Sequence, residues 1–159
     1  MLLRGEGDFE GALAAATRSV QARHELGVGS VKGGLVEQLE AAMVLDGAKA
    51  EELLSDLERL RPGETTPYLM AQAARFRAKL SAGEDDRGFR TALAAFRVLA
   101  MPFWEAVTLL EQSEWLFARA EDAAALPRMV EAQEIFERLH AQPWLERLSR
   151  LTSPESVSA

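Results

Sequence analysis

The sequence predicts an all-α fold, an α-solenoid of antiparallel helix hairpins with about seven to eight helices. Three observations favour this fold class. Glycines and prolines fall between periodic segments rather than within them. No segment shows the alternation of Val, Ile, Thr and Tyr that is typical of a β-strand. Small residues also recur at a long, regular spacing, which is typical of helical repeats.

Capping residues and helix breakers delimit the predicted helices. Asp8, Ser30 and Thr66 are residues that accept hydrogen bonds from the free amides of a helix N-terminus. Gly27 and Pro62 stop helices, because glycine accepts a left-handed conformation and proline lacks an amide hydrogen. The predicted helices are 8–26, 30–46, 48–60, 67–83, one from 85, one from 102 behind Pro102, 122–140, and one from Pro143 to Leu151.

A repeat is visible in the first turn of every second predicted helix. Ala12, Ala50, Gly88 and Ala125 stand there, separated by 38, 38 and 37 residues. Two helices can cross at about 8 Å only where neither carries a bulky side chain, so we expect small residues at the crossings. The positions seven residues later are small again in three of four cases: Ser19, Ala95 and Ala132, with Leu57 as the exception.

The opening phrase of the chain carries a family resemblance. Gly7-Asp8-Phe9-Glu10-Gly11-Ala12 resembles the loop and second-helix start of a tetratricopeptide repeat. The resemblance implies a tetratricopeptide-like repeat domain over residues 1–151. Its first hairpin would be incomplete, because this phrase belongs in the middle of a hairpin, and we therefore expect the chain to be part of a longer protein. The polar segment 152–159 is predicted to be a flexible C-terminal tail.

The repeat departs from the usual tetratricopeptide pattern in three respects. The tryptophan and tyrosine signature of the first helix is absent. A period of 38 residues is longer than the usual length of about 34. Ala120 also replaces the turn glycine in the last hairpin.

A second resemblance covers about residues 7–150, and the motifs that carry it stand in the C-terminal half. Pro102-Phe103-Trp104, Glu114-Trp115-Leu116, residues 132–139 and Pro143-Trp144-Leu145 resemble the final helical repeats of large bacterial signalling proteins. Those proteins join a class III adenylate or guanylate cyclase domain to a nucleotide-binding ATPase, and related arrays occur in large ATP-binding transcription regulators. The resemblance implies a non-catalytic regulatory or interaction region, and no cyclase or ATPase motif is present in this chain.

Composition excludes several classes of function. The chain has no cysteine, which excludes disulfides, thiolate metal sites and cysteine nucleophiles. Its net charge of −7 opposes direct binding to nucleic acid phosphates. No apolar run is long enough to span a membrane. We therefore expect a cytoplasmic protein without a cofactor, and with a protein or peptide as partner.

No residue set predicts catalysis. Both histidines, His24 and His140, stand at the predicted C-terminal ends of helices, where a protonated imidazole complements the helix dipole. Asp85 and Asp86 lie in a predicted first turn, where negative charge complements the opposite end of the dipole. The sequence thus predicts a protein that is not an enzyme and has no catalytic or metal-binding residue.

Two polar stripes mark the predicted binding groove. In tetratricopeptide-like superhelices the first helix of each hairpin lines the concave surface. The polar residues of two such helices would then face the same groove, unless they are simply solvated surface. The predicted groove residues are Tyr68, Gln72, Arg75 and Lys79 on the fourth helix, and Glu105, Thr108 and Gln112 on the sixth.

Three functions stay open at this point. The groove would bind a protein, a peptide or another domain of the parent protein and so serve interaction or autoregulation. Alternatively, the domain would sense a small molecule for a cyclase or a transcription regulator. A homodimer is a third alternative, because the apolar face of the first helix, with Leu13, Ala16 and Val20, would need cover.

Overall fold

The structure is a computed structural model that describes residues 8–21, 31–61, 63, 65–81 and 85–151. These residues form eight α-helices and no strand, which confirms the all-α prediction. The helices are α1 (Phe9–Gln21), α2 (Val31–Leu45), α3 (Gly47–Glu58), α4 (Pro67–Leu80), α5 (Arg87–Val98), α6 (Pro102–Phe117), α7 (Asp122–Arg138) and α8 (Gln142–Leu151). The predictions for Ser30, Gly27, Pro62, His24 and the tail 152–159 lie outside the described residues, and so do those for the side chains of Ala12, Ser19 and Val20.

The predicted N-terminal caps are present where the structure describes them. The Asp8 carboxylate accepts a hydrogen bond from the amide of Gly11 at 2.8 Å. The hydroxyl of Thr66 accepts one from the amide of Leu69 at 3.3 Å, and Pro67 opens α4. Asp46 caps α3 in the same way. Each cap satisfies an amide that has no partner within its helix, which is why these helices begin where they do.

Three helices end on residues in the left-handed conformation. Ala100, Ala120 and His140 follow α5, α6 and α7 with φ of 51°, 57° and 53°. After α6 the amide of Glu121 donates to the carbonyl of Leu116 at 3.0 Å, as in a Schellman turn. Ala120 therefore adopts the conformation of the turn glycine that it replaces, at a cost of about 1–2 kcal/mol.

The chain is divided into two compact units, Met1–Leu80 and Ser81–Ala159. The repeat domain over 1–151 stays a prediction. In the first unit each helix packs against the next one in sequence, and α2 also packs against α4. In the second unit each helix again packs against the next, and α6 also packs against α8. The two units thus share one packing plan.

The first unit buries an apolar core between α2, α3 and α4. Ala50 is fully buried, as the repeat predicts, and Phe76 of α4 is fully buried as well. On α1, Ala16 is buried and Leu13 is half-buried, because α1 packs against α2. Part of the face that we expect to drive self-association is thus covered within the chain.

The second unit is built around α6, which is buried on almost every side. The small residues Ala125 and Ala132 of α7 are fully buried, as predicted. Gly88 and Ala95 of α5 are only half-buried, so the repeat is less regular there.

An aromatic cluster of Phe103, Phe136 and Trp144 joins α6, α7 and α8 at their ends. The rings of Phe136 and Trp144 stack at a centroid distance of 5.7 Å. Phe103 meets Trp144 edge-on at 5.7 Å and Phe136 at 6.5 Å. Such pairs add about 0.5–1.5 kcal/mol each beyond the area they bury. They hold the last hairpin of the unit together.

Candidate functional site

The polar stripe of α4 lies mostly inside the first unit. The side chains of Gln72 and Arg75 have no exposed surface, whereas Tyr68 and Lys79 are half-buried. The reason is that α4 is covered by two helices, α3 and α2, so its apolar face and its polar face both meet protein. Sequence periodicity shows which residues share a helix face, but it does not show how many helices cover that face.

Arg75 is held by an ion pair within the interior. Its guanidinium lies 2.6 Å from the carboxylate of Glu40 on α2, and the two side chains are 0% and 9% exposed. A second guanidinium nitrogen donates to the amide oxygen of Gln72 at 3.0 Å. The guanidinium carbon also lies 4.9 Å from the centre of the Phe76 ring. Because a buried charge is tolerated only when it is paired, Arg75 and Glu40 depend on each other.

The first unit holds further buried polar groups. The amide nitrogen of Gln38 donates to the hydroxyl of Thr17 at 2.9 Å, which ties α2 to α1. The pKa of Tyr68 is raised, chiefly because burial disfavours the phenolate. A hydrogen bond to Gln72 opposes the rise. The phenol therefore stays neutral beside the ion pair of Arg75 and Glu40, which joins α4 to α2.

The polar stripe of α6 is also largely interior, within the second unit. Thr108 and Gln112 are fully buried. The Thr108 hydroxyl donates to the backbone carbonyl of Trp104 at 2.7 Å, so its hydrogen bond stays within α6. Glu105 is half-buried and accepts a hydrogen bond from Arg97 of α5 at 2.6 Å. This bond is the main reason that the pKa of Arg97 is raised.

The predicted groove therefore needs correction. Gln72, Arg75, Thr108 and Gln112 lie in the interior, since their helices are covered on more than one side, and they cannot line an open surface. Tyr68, Lys79 and Glu105 are the predicted groove residues that solvent still reaches. The two stripes also belong to different compact units. Their union in one groove stays a prediction.

A cavity of about 260 Å³ lies in the second unit. It forms where the C-terminal half of α6 meets the beginnings of α5 and α7, as antiparallel neighbours require. Its lining residues are Asp85, Asp86, Gln112, Trp115, Leu116, Glu121, Ala124 and Arg128. Of these residues, only Gln112 belongs to the predicted groove. The others could have been predicted from the antiparallel order of the hairpins, which places the end of one helix beside the start of the next.

Each carboxylate at the cavity has an arginine partner. Asp85 pairs with Arg87 at 3.4 Å, and Asp86 pairs with Arg90 at 3.1 Å. Glu121 pairs with Arg119 at 2.9 Å in the same manner. These exposed pairs contribute little to stability, but they neutralise the negative charge around the opening.

Two groups that line the cavity lack partners in the part of the chain that the structure describes. Gln112 donates its amide nitrogen to Asp86 at 2.9 Å, while its buried amide oxygen accepts no hydrogen bond. The half-buried Arg128 forms no ion pair. The cavity thus places the half-buried Arg128 beside Trp115 and Leu116, while the oxygen of Gln112 is enclosed by protein.

Two further features concern metal binding and membrane insertion. No group of three or more His, Asp or Glu side chains among the described residues is arranged to hold a metal ion. None of the described helices has the length and apolar character needed to cross a membrane.

Comparison with protein-family models, curated proteins and solved structures finds no match.

Proposed function

We propose that this chain is a non-catalytic, tetratricopeptide-like scaffold that binds another protein, or another domain of the protein to which it belongs. In this role it would serve protein interaction or autoregulation in a cytoplasmic signalling protein.

The observation that carries the proposal is the packing plan common to both units. Each unit packs consecutive helices together, with a further contact between helices two apart, α2 with α4 and α6 with α8. Ala50 and Ala125, at equivalent positions of the repeat, are both fully buried. Helical repeats that stack in this way offer extended surfaces for partners rather than enclosed reaction sites.

The exposed part of α4 offers the most direct test in the first unit. Peptides selected from a random library against the folded chain would be titrated against the protein and its variants. Lys79→Glu reverses a half-exposed charge and should weaken binding about tenfold if α4 lines the groove. Tyr68→Phe removes only a hydroxyl and should weaken binding less.

A matched control lies directly after α3. Arg59 follows the last residue of α3, is exposed and, among the described residues, forms its ion pair with Asp56 of α3, so Arg59→Glu should leave peptide binding unchanged. Failure of the selection to yield any peptide that binds the folded chain would contradict the proposed function. Peptides that bind equally to all of these variants would contradict the assignment of α4 to the groove.

Sensing of a small molecule is the second candidate function. The cavity of about 260 Å³ in the second unit favours it, because a cationic residue, Arg128, and an aromatic residue, Trp115, line the same space. The volume is just below the range of about 300–1,000 Å³ that is usual for drug-sized ligands. A small molecule that raises the melting temperature of the chain by binding there would support this function.

A further inference from the structure

The outward face of α7 is apolar over its first turns. Because a helix has 3.6 residues per turn, Ala123, Leu126 and Val130 lie on one side of α7, opposite the buried Ala125 and Ala132. Leu126 is 46% exposed and Val130 is 51% exposed. The helix thus carries an apolar stripe, Ala123, Leu126 and Val130, on its solvent side as well as apolar residues on the side that packs against α6.

The two other helices that flank α6 differ from α7 in this respect. The exposed side chains of α5 include Arg90, Thr91 and Arg97, and those of α8 include Glu146 and Arg150. Such polar faces are typical of helices with one side in solvent. Single exposed apolar residues are common on protein surfaces, but the apolar stripe repeats at the i, i+3, i+7 spacing of a face that packs against protein.

Carboxylates stand at both ends of the apolar stripe. Asp122 precedes it, and Glu134 and Glu137 continue the same side of α7 toward the C-terminus. Among the described residues none of these three carboxylates forms an ion pair, although that of Glu137 accepts a hydrogen bond from the amide of Gln133 at 2.7 Å. Arg138 offsets one of the three charges. The stripe is therefore flanked by net negative charge, which is complementary to a basic partner.

A second copy of this chain does not match the apolar stripe. A stable interface takes about 20–30 residues from each partner, whereas the stripe has three apolar side chains. Each copy also carries a net charge of −7, which opposes self-association. A partner strand has no sheet edge to join, since the described residues include no strand. The spacing of the stripe matches instead the ridge of side chains on a second helix.

We propose that the outward face of α7 docks a basic amphipathic helix of a partner protein. Apolar side chains of that helix cover Leu126 and Val130, and its lysines or arginines lie beside Glu134 and Glu137. The inference goes beyond the proposed function, because it assigns a surface of the second unit, whereas that function is tested at α4 in the first unit.

The test is a titration of a fluorescein-labelled peptide with the full chain, followed by fluorescence anisotropy. The peptide has about 14 residues, or four helical turns, with leucines at helical spacing and lysines at the other positions. We expect saturable binding that weakens as salt is added, because ion pairs at a surface are screened. A peptide with glutamates in place of the lysines should bind at least about tenfold more weakly. Equal affinities for the two peptides would overturn the choice of a basic partner.

Apolar substitutions locate the binding on α7. The double variant Leu126→Gln/Val130→Gln should weaken binding of the lysine peptide about tenfold, because it removes the apolar contact. Met70→Gln/Val98→Gln is the matched control, since Met70 on α4 and Val98 on α5 are 63% and 86% exposed and lie outside α7. Equal losses of affinity in the two double variants would overturn the assignment to α7.

Carboxylate substitutions test the charge complementarity. Glu134→Gln/Glu137→Gln should weaken binding of the lysine peptide about fivefold, because two ion pairs are lost. The control Glu52→Gln/Asp56→Asn removes two exposed carboxylates of α3, so it changes the net charge equally and should leave the affinity within about twofold. Equal effects of the two double variants would show that the peptide responds to net charge alone, and the proposal would be wrong. If Leu126→Gln/Val130→Gln fails to fold by circular dichroism, the carboxylate variants still decide the proposal.

The remaining outcomes separate this inference from the alternatives. If sedimentation of the chain alone shows a dimer that Leu126→Gln/Val130→Gln dissociates, the occupant is a second copy and the proposal is overturned. If the lysine peptide does not bind, the proposal fails, whereas a selected peptide whose binding depends on Lys79 would leave the proposed function standing.

Discussion

Replacement of Arg75 by methionine should destabilise the chain strongly. The substitution keeps most of the apolar stem but leaves the carboxylate of Glu40, which is 9% exposed, without its cation. Removing one partner of a buried ion pair costs about 3–5 kcal/mol. An exposed ion pair gives a reference: Arg59→Met breaks the surface pair with Asp56 and should cost less than about 1 kcal/mol.

The double variant Arg75→Met/Glu40→Leu should be more stable than Arg75→Met alone. Replacing both charges by apolar groups is often neutral or stabilising by about 1–4 kcal/mol. The amide oxygen of Gln72 loses its donor in this variant, which costs about 1–3 kcal/mol. The two effects nearly cancel, so we expect the double variant to lie within about 2 kcal/mol of the wild type.

Urea denaturation measures these differences. Tyr68 is the only tyrosine and lies in the first unit, so its absorbance reports on the unit that carries the substitutions, while far-ultraviolet circular dichroism follows all helices. The reasoning is refuted if Arg75→Met costs no more than Arg59→Met, or if the double variant is less stable than Arg75→Met.

Three further predictions follow from single residues. Ala120→Gly should stabilise the chain by about 1 kcal/mol in guanidinium denaturation, because φ is 57° at this residue and glycine adopts that conformation without strain. The control Ala118→Gly, at φ −60°, should destabilise the chain by about 0.5–1 kcal/mol. Equal effects of the two substitutions would contradict the turn geometry. The absorbance of tyrosinate should show that Tyr68 titrates above 10.0 in the folded chain. The free energy of unfolding should fall as the pH rises past 10.0, because the phenol of the unfolded chain ionises first. A titration midpoint in the folded chain at or below that of the urea-unfolded chain would be evidence against the burial of Tyr68. Phe136→Ala should cost about 3–5 kcal/mol in thermal or urea unfolding, because the fully buried ring stacks on Trp144; a loss below 1 kcal/mol would be inconsistent with that packing.

The helices could be predicted because their determinants are local. Asp8 and Thr66 cap helices with their own side chains within three residues, and Pro67 and Pro102 begin α4 and α6 as predicted. The buried position of Ala50 followed from the spacing of small residues. Caps, breakers and repeats all act over distances that a linear sequence displays.

The site could not be predicted to the same degree, because its determinants are tertiary. Arg75 and Gln112 stand on polar stripes that look like solvated surface, yet each is fully buried. The partner of Arg75 is Glu40, on a helix that is not its neighbour in sequence. Nothing in the sequence marks Arg128, because its place at the cavity follows from the packing of α7 against α6.

The central claim is that polar residues predicted for an open groove are instead interior groups that hold helices together. Labelling of the native chain with phenylglyoxal, quantified by peptide mass spectrometry, tests it most directly. The account predicts that Arg75 reacts at least about tenfold more slowly than the exposed Arg59, because the guanidinium of Arg75 is enclosed and paired with Glu40. Equal labelling rates for Arg75 and Arg59 would contradict it.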